Sequence, residues 1–304
     1  METDLAPTDG LPARRRWLSG LERAAAETGR LELSLLLTLL LLVFHPPRHF
    51  YVNLPLSVIA LVAILMPPLR HSRVLWFLAA LLVGAAAVGH WQTTDNHKYL
   101  LAYWCLAIGC SLWTSDPGPS LARIARWLVA AVFSIAVLQK LLSNDYLNSD
   151  FFYFALLFDE RFAGLARHLG GVSEFSSELN ESARRALVNY DSVLTAVKLS
   201  SESGSLPVVA TFVTLWTVLL EAAIGVAHLA PRRTWLARWR HPLLLLFVFS
   251  TYLFAPVIGF GWLMIILGVA QLGPAATRMR LVYLLSIVVL QAYKYPWPSL
   301  IDGG

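Results

Sequence analysis

The residue of this sequence that is best placed to do chemistry is Lys140, near the end of an apolar run that begins at about Leu121. It is the only cation of that run after Arg126. Burial favours the neutral form of a lysine because the ammonium ion loses its solvation, and a neutral lysine can act as a base or nucleophile. The alternative is snorkelling, in which the stem lies in hydrocarbon and the ammonium reaches the interface.

A second candidate is Glu221, which lies about 14 residues into an apolar run and therefore roughly 20 Å below the outer end of that run. A carboxylate inside a membrane is costly, so we expect Glu221 to face the bundle interior and to have a polar partner from another span or a ligand. His228 follows seven residues later on the same helical face. A structural tie between helices and a catalytic role are equal alternatives here.

His97 is the third candidate, in a polar turn between two apolar runs. Asp95 or Asn96 is suited to cap the helix that follows, which places His97 in its first turn. The positive end of the helix dipole favours neutral imidazole, which can act as a base or hydrogen-bond donor. The alternative is an interfacial anchor, with Trp91 and Tyr99 in an aromatic belt.

No metal centre is predicted. The sequence contains no His-Glu-x-x-His, Cys-x-x-Cys, Walker or Gly-x-Ser-x-Gly motif, and most of its other histidines flank the ends of apolar runs. Cys105 and Cys110 lie about 500° apart around one helix, so they point to different faces and are predicted to be packing residues.

Composition places these residues in a membrane. The chain is 57% hydrophobic and 14% charged, whereas soluble domains average about 25% charged residues. Its net charge of +5 comes from small arginine clusters between apolar runs, which argues against nucleic acid as a partner. Membrane lipid is the predicted partner.

The predicted fold is all-α, a polytopic transmembrane bundle of about nine spans. The stretch 242–273 would be about 48 Å long as one helix, so Pro256 and Gly259 favour a hairpin of two short helices. The predicted spans are 31–45, 51–67, 74–91, 97–114, 121–142, 207–230, 242–256, 258–273 and 281–295.

Arginine clusters predict the orientation. They occur in the first 30 residues and then in alternate connections, at Arg70, Arg123, Arg232 and Arg278. By the positive-inside rule, residues 1–30 form a cytoplasmic tail, 31–295 a membrane domain, and 296–304 an extracytoplasmic tail. The predicted location is therefore the cell membrane, which the chain crosses several times.

The long connection 143–206 is predicted to be extracytoplasmic and partly helical. Its segment 151–158 is too short to span and too apolar for water, which is typical of an interfacial or re-entrant helix. A mixed-charge helix is predicted over 178–198, and Gly170 with Gly171 separates the two.

Three stretches resemble the membrane domain of the vitamin K-dependent gamma-carboxylase and its bacterial relatives, the HTTM (horizontally transferred transmembrane domain) proteins. The stretch 95–100, Asp-Asn-His-Lys-Tyr-Leu, resembles the family's Asn-His-x-Tyr-Leu. The stretch 139–146, Gln-Lys-Leu-Leu-Ser-Asn-Asp-Tyr, resembles its Lys-Leu-x-x-x-Trp, with Tyr146 in place of tryptophan. Leu220-Glu221 and the later 260–264, Phe-Gly-Trp-Leu-Met, resemble its acidic helix and Phe-Gly hairpin. The resemblance covers roughly residues 31–273.

The resemblance implies that Lys140 is a base that deprotonates the reduced form of a quinone-like lipid and that His97 is its acid/base or hydrogen-bonding partner. It extends the site to four binding residues, Asn96, Tyr99, Gln139 and Glu221. We therefore expect Lys140 and His97 to line one cavity that is open to the outer leaflet.

Two departures argue against peptide gamma-carboxylation. The carboxylase carries a large luminal domain after its membrane part, whereas this sequence ends at Gly304, and Ser250 stands where the carboxylase has a histidine. If the chain is an enzyme, carboxylase-like or oxidoreductase-like chemistry is expected. The alternatives are a non-enzymatic membrane protein that binds lipid or assists a partner and, third, a transporter, for which the sequence shows no internal repeat.

Overall fold

The structure is a computed structural model, and it describes residues 29–46, 50–92, 94–188, 204–254, 257–273 and 275–293. These residues form helices and connections without a strand, so the predicted all-α class is confirmed for the described part of the chain. The main helices are α1 (Arg30–Phe44), α2 (Phe50–Leu65), α3 (Arg73–Gly89), α4 (Asn96–Ser111), α5 (Pro117–Leu141), α6 (Asp150–Phe158), α7 (Ala163–His168), α8 (Glu174–Val188), α9 (Leu206–Leu229), α10 (Arg240–Phe254), α11 (Ile258–Gln271) and α12 (Thr277–Tyr293).

Each of the nine predicted apolar runs forms a helix whose ends lie within a few residues of the prediction. The stretch 242–273 forms two helices, α10 and α11, as the break at Pro256 and Gly259 predicts; residues 255 and 256 lie outside the described part. Among the described helices, α5 and α9 are long and apolar enough to cross a membrane. This indicates membrane association, and a crossing by all nine helices stays a prediction.

The described chain forms two compact units, residues 1–128 with 258–304 (unit 1) and residues 129–257 (unit 2). In unit 1, α11 is the central helix, since its residues from Gly261 to Ala270 are buried. A helix that is apolar on every side belongs in such a core. Its Gly268 carries no Cβ, which lets the ring of Tyr283 from α12 lie directly against the α11 backbone.

Arginines hold one end of unit 1 together. Helix ends leave carbonyl groups without intrahelical partners, and cationic side chains can bind them. Arg30 at the start of α1 donates to the carbonyl of Leu272 after α11, at 3.4 Å. Arg73 at the start of α3 donates to the carbonyl of Leu112 after α4, at 3.1 Å. The start of α1 therefore meets the end of α11, and the start of α3 meets the end of α4, as in antiparallel packing.

Arg70 makes the most contacts at the same end. Its guanidinium donates to the carbonyls of Ala63 at 3.1 Å and Ile64 at 2.6 Å, and it pairs with Glu32 of α1. His71 Nε2 lies 3.0 Å from the second carboxylate oxygen of Glu32. The pair fastens the end of α2 to the start of α1.

In unit 2, the connection after α5 packs on the first turns of α9. An apolar cluster joins Phe152 and Leu156 of α6 to Leu206, Ala210 and Val213 of α9. The helix predicted over 151–158 is therefore present as α6, and it packs against one face of α9. Its place at a membrane interface stays a prediction.

The predicted separation at Gly170 and Gly171 is also present, between α7 and α8. Gly171 has a φ of 67°, a conformation that favours glycine. A Cβ on Gly170 would lie 2.5 Å from the carbonyl oxygen of Ala166. The mixed-charge helix predicted over 178–198 begins earlier, at Glu174, and its part beyond Val188 lies outside the described residues.

Candidate functional site

The centre of the candidate site is an ion pair inside unit 2. The Nζ atom of Lys140 on α5 lies 2.7 Å from Oε2 of Glu221 on α9. Both side chains are nearly buried, with 13% of Lys140 and 8% of Glu221 exposed. Glu221 therefore has the polar partner that the cost of a buried carboxylate predicts.

A close crossing of α5 and α9 brings the two residues together. Gly225 lies one turn after Glu221, and a Cβ placed on it would be 3.1 Å from Oγ of Ser134. Small residues let helix backbones approach closely, which is the usual way in which transmembrane helices associate. The ring of Phe133 also packs edge-on against Phe247 of α10, with 4.8 Å between centroids.

The contact places Glu221 level with the end of α5. Fifteen residues separate it from Leu206 at the start of α9, a rise of about 22 Å. Lys140, however, is next to the last residue of α5. Glu221 thus lies level with the end of α5, and the first turns of α9 run on beyond it, where α6 covers one of their faces.

Tyr146 is a third member of the site, and the sequence alone gives it no functional role. Its ring lies 5.5 Å from Nζ of Lys140 and stacks on Phe151 with 4.4 Å between centroids. Burial raises the pKa of Tyr146 to about 12, and the negative charge of Glu221 adds to the rise. An aromatic residue six positions after a buried lysine is the signal that could have marked it.

The pair leaves hydrogen-bonding capacity on Lys140. An ammonium group has three donors, and among the described residues Lys140 donates only to Glu221. His228, which shares a helical face with Glu221, is buried and donates from Nδ1 to the carbonyl of Ile224 at 2.9 Å. Gln139 is exposed on α5 beside Lys140.

The other predicted site residues lie in unit 1. His97 follows the first residue of α4, and its ring faces Phe260 with 6.0 Å between centroids. Its Nδ1 lies 4.0 Å from Oδ2 of Asp95. Asp95 occupies the predicted capping position but makes no side-chain capping bond. The start of α4 therefore lies beside the start of α11.

Two further predicted binding residues flank His97. Asn96 is exposed, and the hydroxyl of Tyr99 donates to the carbonyl of Ala87 at 3.0 Å. Lys98 donates to the carbonyl of His45 at 3.1 Å, which ties α4 to the end of α1. His97 and Lys140 belong to different compact units, so their shared cavity stays a prediction.

No group of three or more histidine, cysteine, aspartate or glutamate side chains suited to a metal ion occurs among the described residues. Comparisons of the chain with protein-family models, with curated proteins and with solved structures give no match. The function must therefore be argued from the site itself.

Proposed function

We propose that this chain is an HTTM-family integral membrane protein that uses the pair Lys140–Glu221 to take a proton from the reduced form of a quinone-like lipid at the outer leaflet. The observation that carries the proposal is the 2.7 Å contact between two nearly buried, ionisable side chains. Functional sites are where such groups concentrate, and an ionisable residue within a membrane indicates function by default.

The membrane setting is supported by the exposure of the two longest helices. The most apolar stretch of each helix has a mean hydropathy of 1.9. Only 33% of that stretch is buried in α5 and only 39% in α9. Such surfaces suit hydrocarbon much better than water. We propose nine spans, with the amino terminus cytoplasmic and the connection 143–206 extracytoplasmic. The arginine-lined end of unit 1 then faces the cytoplasm.

Glu221 supplies what Lys140 needs in order to act as a base. A lysine in an ion pair already holds its proton and cannot accept another. When the proton moves to the carboxylate, a neutral amine and a neutral acid result, and a low dielectric tolerates both. The amine can then take the proton of a hydroquinone hydroxyl. Arginine at the same position would keep the pair but could not release a proton.

His97 has the second role in the proposal, as a hydrogen-bond or acid/base partner of the same ligand. Its place at the start of α4, in the stretch that resembles the family's Asn-His-x-Tyr-Leu, supports this role. Asn96, Tyr99 and Gln139 are proposed to contact the ligand around these two groups.

The second candidate function is non-enzymatic, a membrane protein that binds lipid and in which the pair only ties α5 to α9. The observation that favours it is the close crossing at Gly225, which by itself explains why a carboxylate on α9 meets a cation on α5. The two functions predict different effects of Lys140→Arg, since this substitution abolishes proton transfer but keeps an ion pair between α5 and α9.

The test measures oxygen consumption by the purified protein in nanodiscs that contain menadiol, a hydroquinone whose anion reacts with oxygen faster than its neutral form. We expect the wild type to exceed the protein-free background and Lys140→Arg to fall to that background with an unchanged melting temperature. Lys98→Arg is the matched control, since this lysine donates to the carbonyl of His45, which an arginine can bind as well. The proposal is contradicted if the wild type consumes oxygen no faster than the background. It is also contradicted if Lys140→Arg consumes oxygen as fast as the wild type.

A further inference from the structure

Unit 2 contains an apolar groove that the proposed proton transfer does not use. It lies between α7 and the first two turns of α9 and has a volume of about 430 Å³. Its walls include Leu165, Leu169, Val208, Val209 and Phe212. The polar group at its edge, the hydroxyl of Ser205, already donates to the carbonyl of Gly170 at 2.9 Å. The groove therefore offers a ligand apolar surface and little else.

The groove opens on the side of α9 that faces outward. Four large apolar side chains follow one another there at helical spacing, and all are more than half exposed: Val208 70%, Phe212 58%, Leu215 57% and Leu219 67%. Two of them belong to the groove and two continue along the helix toward Glu221. Because α9 is long and apolar enough to span a membrane, this stripe and the groove that adjoins it face lipid.

Helix α8 also presents apolar side chains to its surroundings. Its exposed side carries charged residues at Glu174, Glu178 and Arg185 and, beside them, apolar ones, with Phe175 66% and Leu179 46% exposed. Such a surface suits a membrane interface, where the charges reach the headgroups and the apolar side chains reach the hydrocarbon.

We propose that this groove binds one hydrocarbon chain of a membrane lipid in the outer leaflet. Its volume lies within the range of about 300–1,000 Å³ that small-ligand sites occupy, whereas a partner helix, about 10–12 Å across with its side chains, needs a wider trough. The proposal goes beyond the proton transfer at Lys140 and requires only that α9 spans the membrane.

The first experiment uses the wild type in nanodiscs made with phosphatidylcholine that carries a diazirine on one acyl chain. After irradiation, mass spectrometry of the peptides locates the label. We expect it to concentrate on the groove walls, in residues 163–169 and 205–213. Label spread evenly along the exposed stripe of α9, with Val226 as strongly modified as Val208, would overturn the proposal.

The second experiment fills the groove. Native mass spectrometry after a detergent wash is expected to find one retained lipid on the wild type and none on Val209→Trp. Val226→Trp is the matched control, since Val226 lies further along the same outward side of α9, 52% exposed and outside the groove. It should keep its lipid.

A Val209→Trp variant that keeps the lipid contradicts the proposal. The proposal is also contradicted if Val209→Trp converts a dimer into a monomer without loss of lipid, because the groove would then bind a second copy of the chain. Lys140→Arg should retain the lipid whatever it does to menadiol oxidation, which separates failure of the groove from failure of the proposed function.

Discussion

The pair Arg70–Glu32 in unit 1 and the pair Lys140–Glu221 in unit 2 each join two helices through a cation and a carboxylate, but their surroundings differ. Arg70 also binds two backbone carbonyls, and Glu32 also meets His71. In the described structure, Lys140 and Glu221 bind only each other, with the ring of Tyr146 beside the ammonium. The first pair is saturated with partners, while the second keeps donors for a ligand.

The choice of cation follows the same division. Arginine stays charged and donates through a rigid fork, which suits a fastening at a helix end. Lysine can release its proton. This ability adds nothing to an ion pair that only holds two helices together, but a catalytic base requires it. The exposed fraction agrees, since 31% of Glu32 but only 8% of Glu221 is accessible. One pair is thus suited to stability and the other to chemistry.

The largest effect is expected from breaking the buried pair on one side. Lys140→Met leaves Glu221 as a buried carboxylate without its counter-ion, which costs about 3–5 kcal/mol of the free energy of unfolding. The double variant Lys140→Met with Glu221→Met should recover most of that loss, because both charges are gone. Thermal unfolding of all variants in one detergent measures the cycle.

If the single variant loses less than about 1 kcal/mol, a value typical of exposed pairs, the pair is solvated and the contrast with Arg70–Glu32 disappears. A double variant as unstable as the single one would show that the loss comes from packing around Lys140 and not from the isolated charge.

A smaller effect is expected from exchanging the cations. Arg70→Lys removes the fork that binds Glu32 and two carbonyls together, so we expect a loss of about 1–2 kcal/mol in unfolding free energy. Lys140→Arg should leave the free energy of unfolding within about 0.5 kcal/mol, which is the scale of a neutral substitution. Melting curves of the two variants decide this, and equal losses would contradict the division between fastening and base.

The sequence predicts the helices well because their signals are local. Apolar runs, the break at Pro256 and Gly259, and the glycines at 170 and 171 each act over a few residues. The need of Glu221 for a polar partner is also local, since it follows from one carboxylate in an apolar run.

The partner itself could not be predicted, because Lys140 lies 81 residues before Glu221 and their contact depends on the crossing at Gly225 and Ser134. The sequence also does not show that α9 extends past the end of α5. The burial pattern of α8 was equally hidden. Its amphipathic pattern shows that two faces exist, and only the packed structure shows that Ser176 and Asn180 are inside while Phe175 and Leu179 are exposed.

The smallest effect concerns a third carboxylate, which sharpens the comparison because its cations lie on its own helix. Glu181 of α8 accepts hydrogen bonds from Arg184 and Arg185, and these lower its pKa to about 2. A lowered pKa stabilises the folded form above the ordinary value of 4.5, and this contribution is lost as the pH falls toward 2. Carbon-13 NMR of the labelled carboxyl should therefore show a titration midpoint near 2, and Arg184→Leu, which removes the first of the two partners, should move it up toward 4.5. The melting temperature at neutral pH should hardly change, since ion pairs within one exposed helix contribute little to stability. A midpoint near 4.5 in the wild type would mean that α8 does not hold these three side chains together.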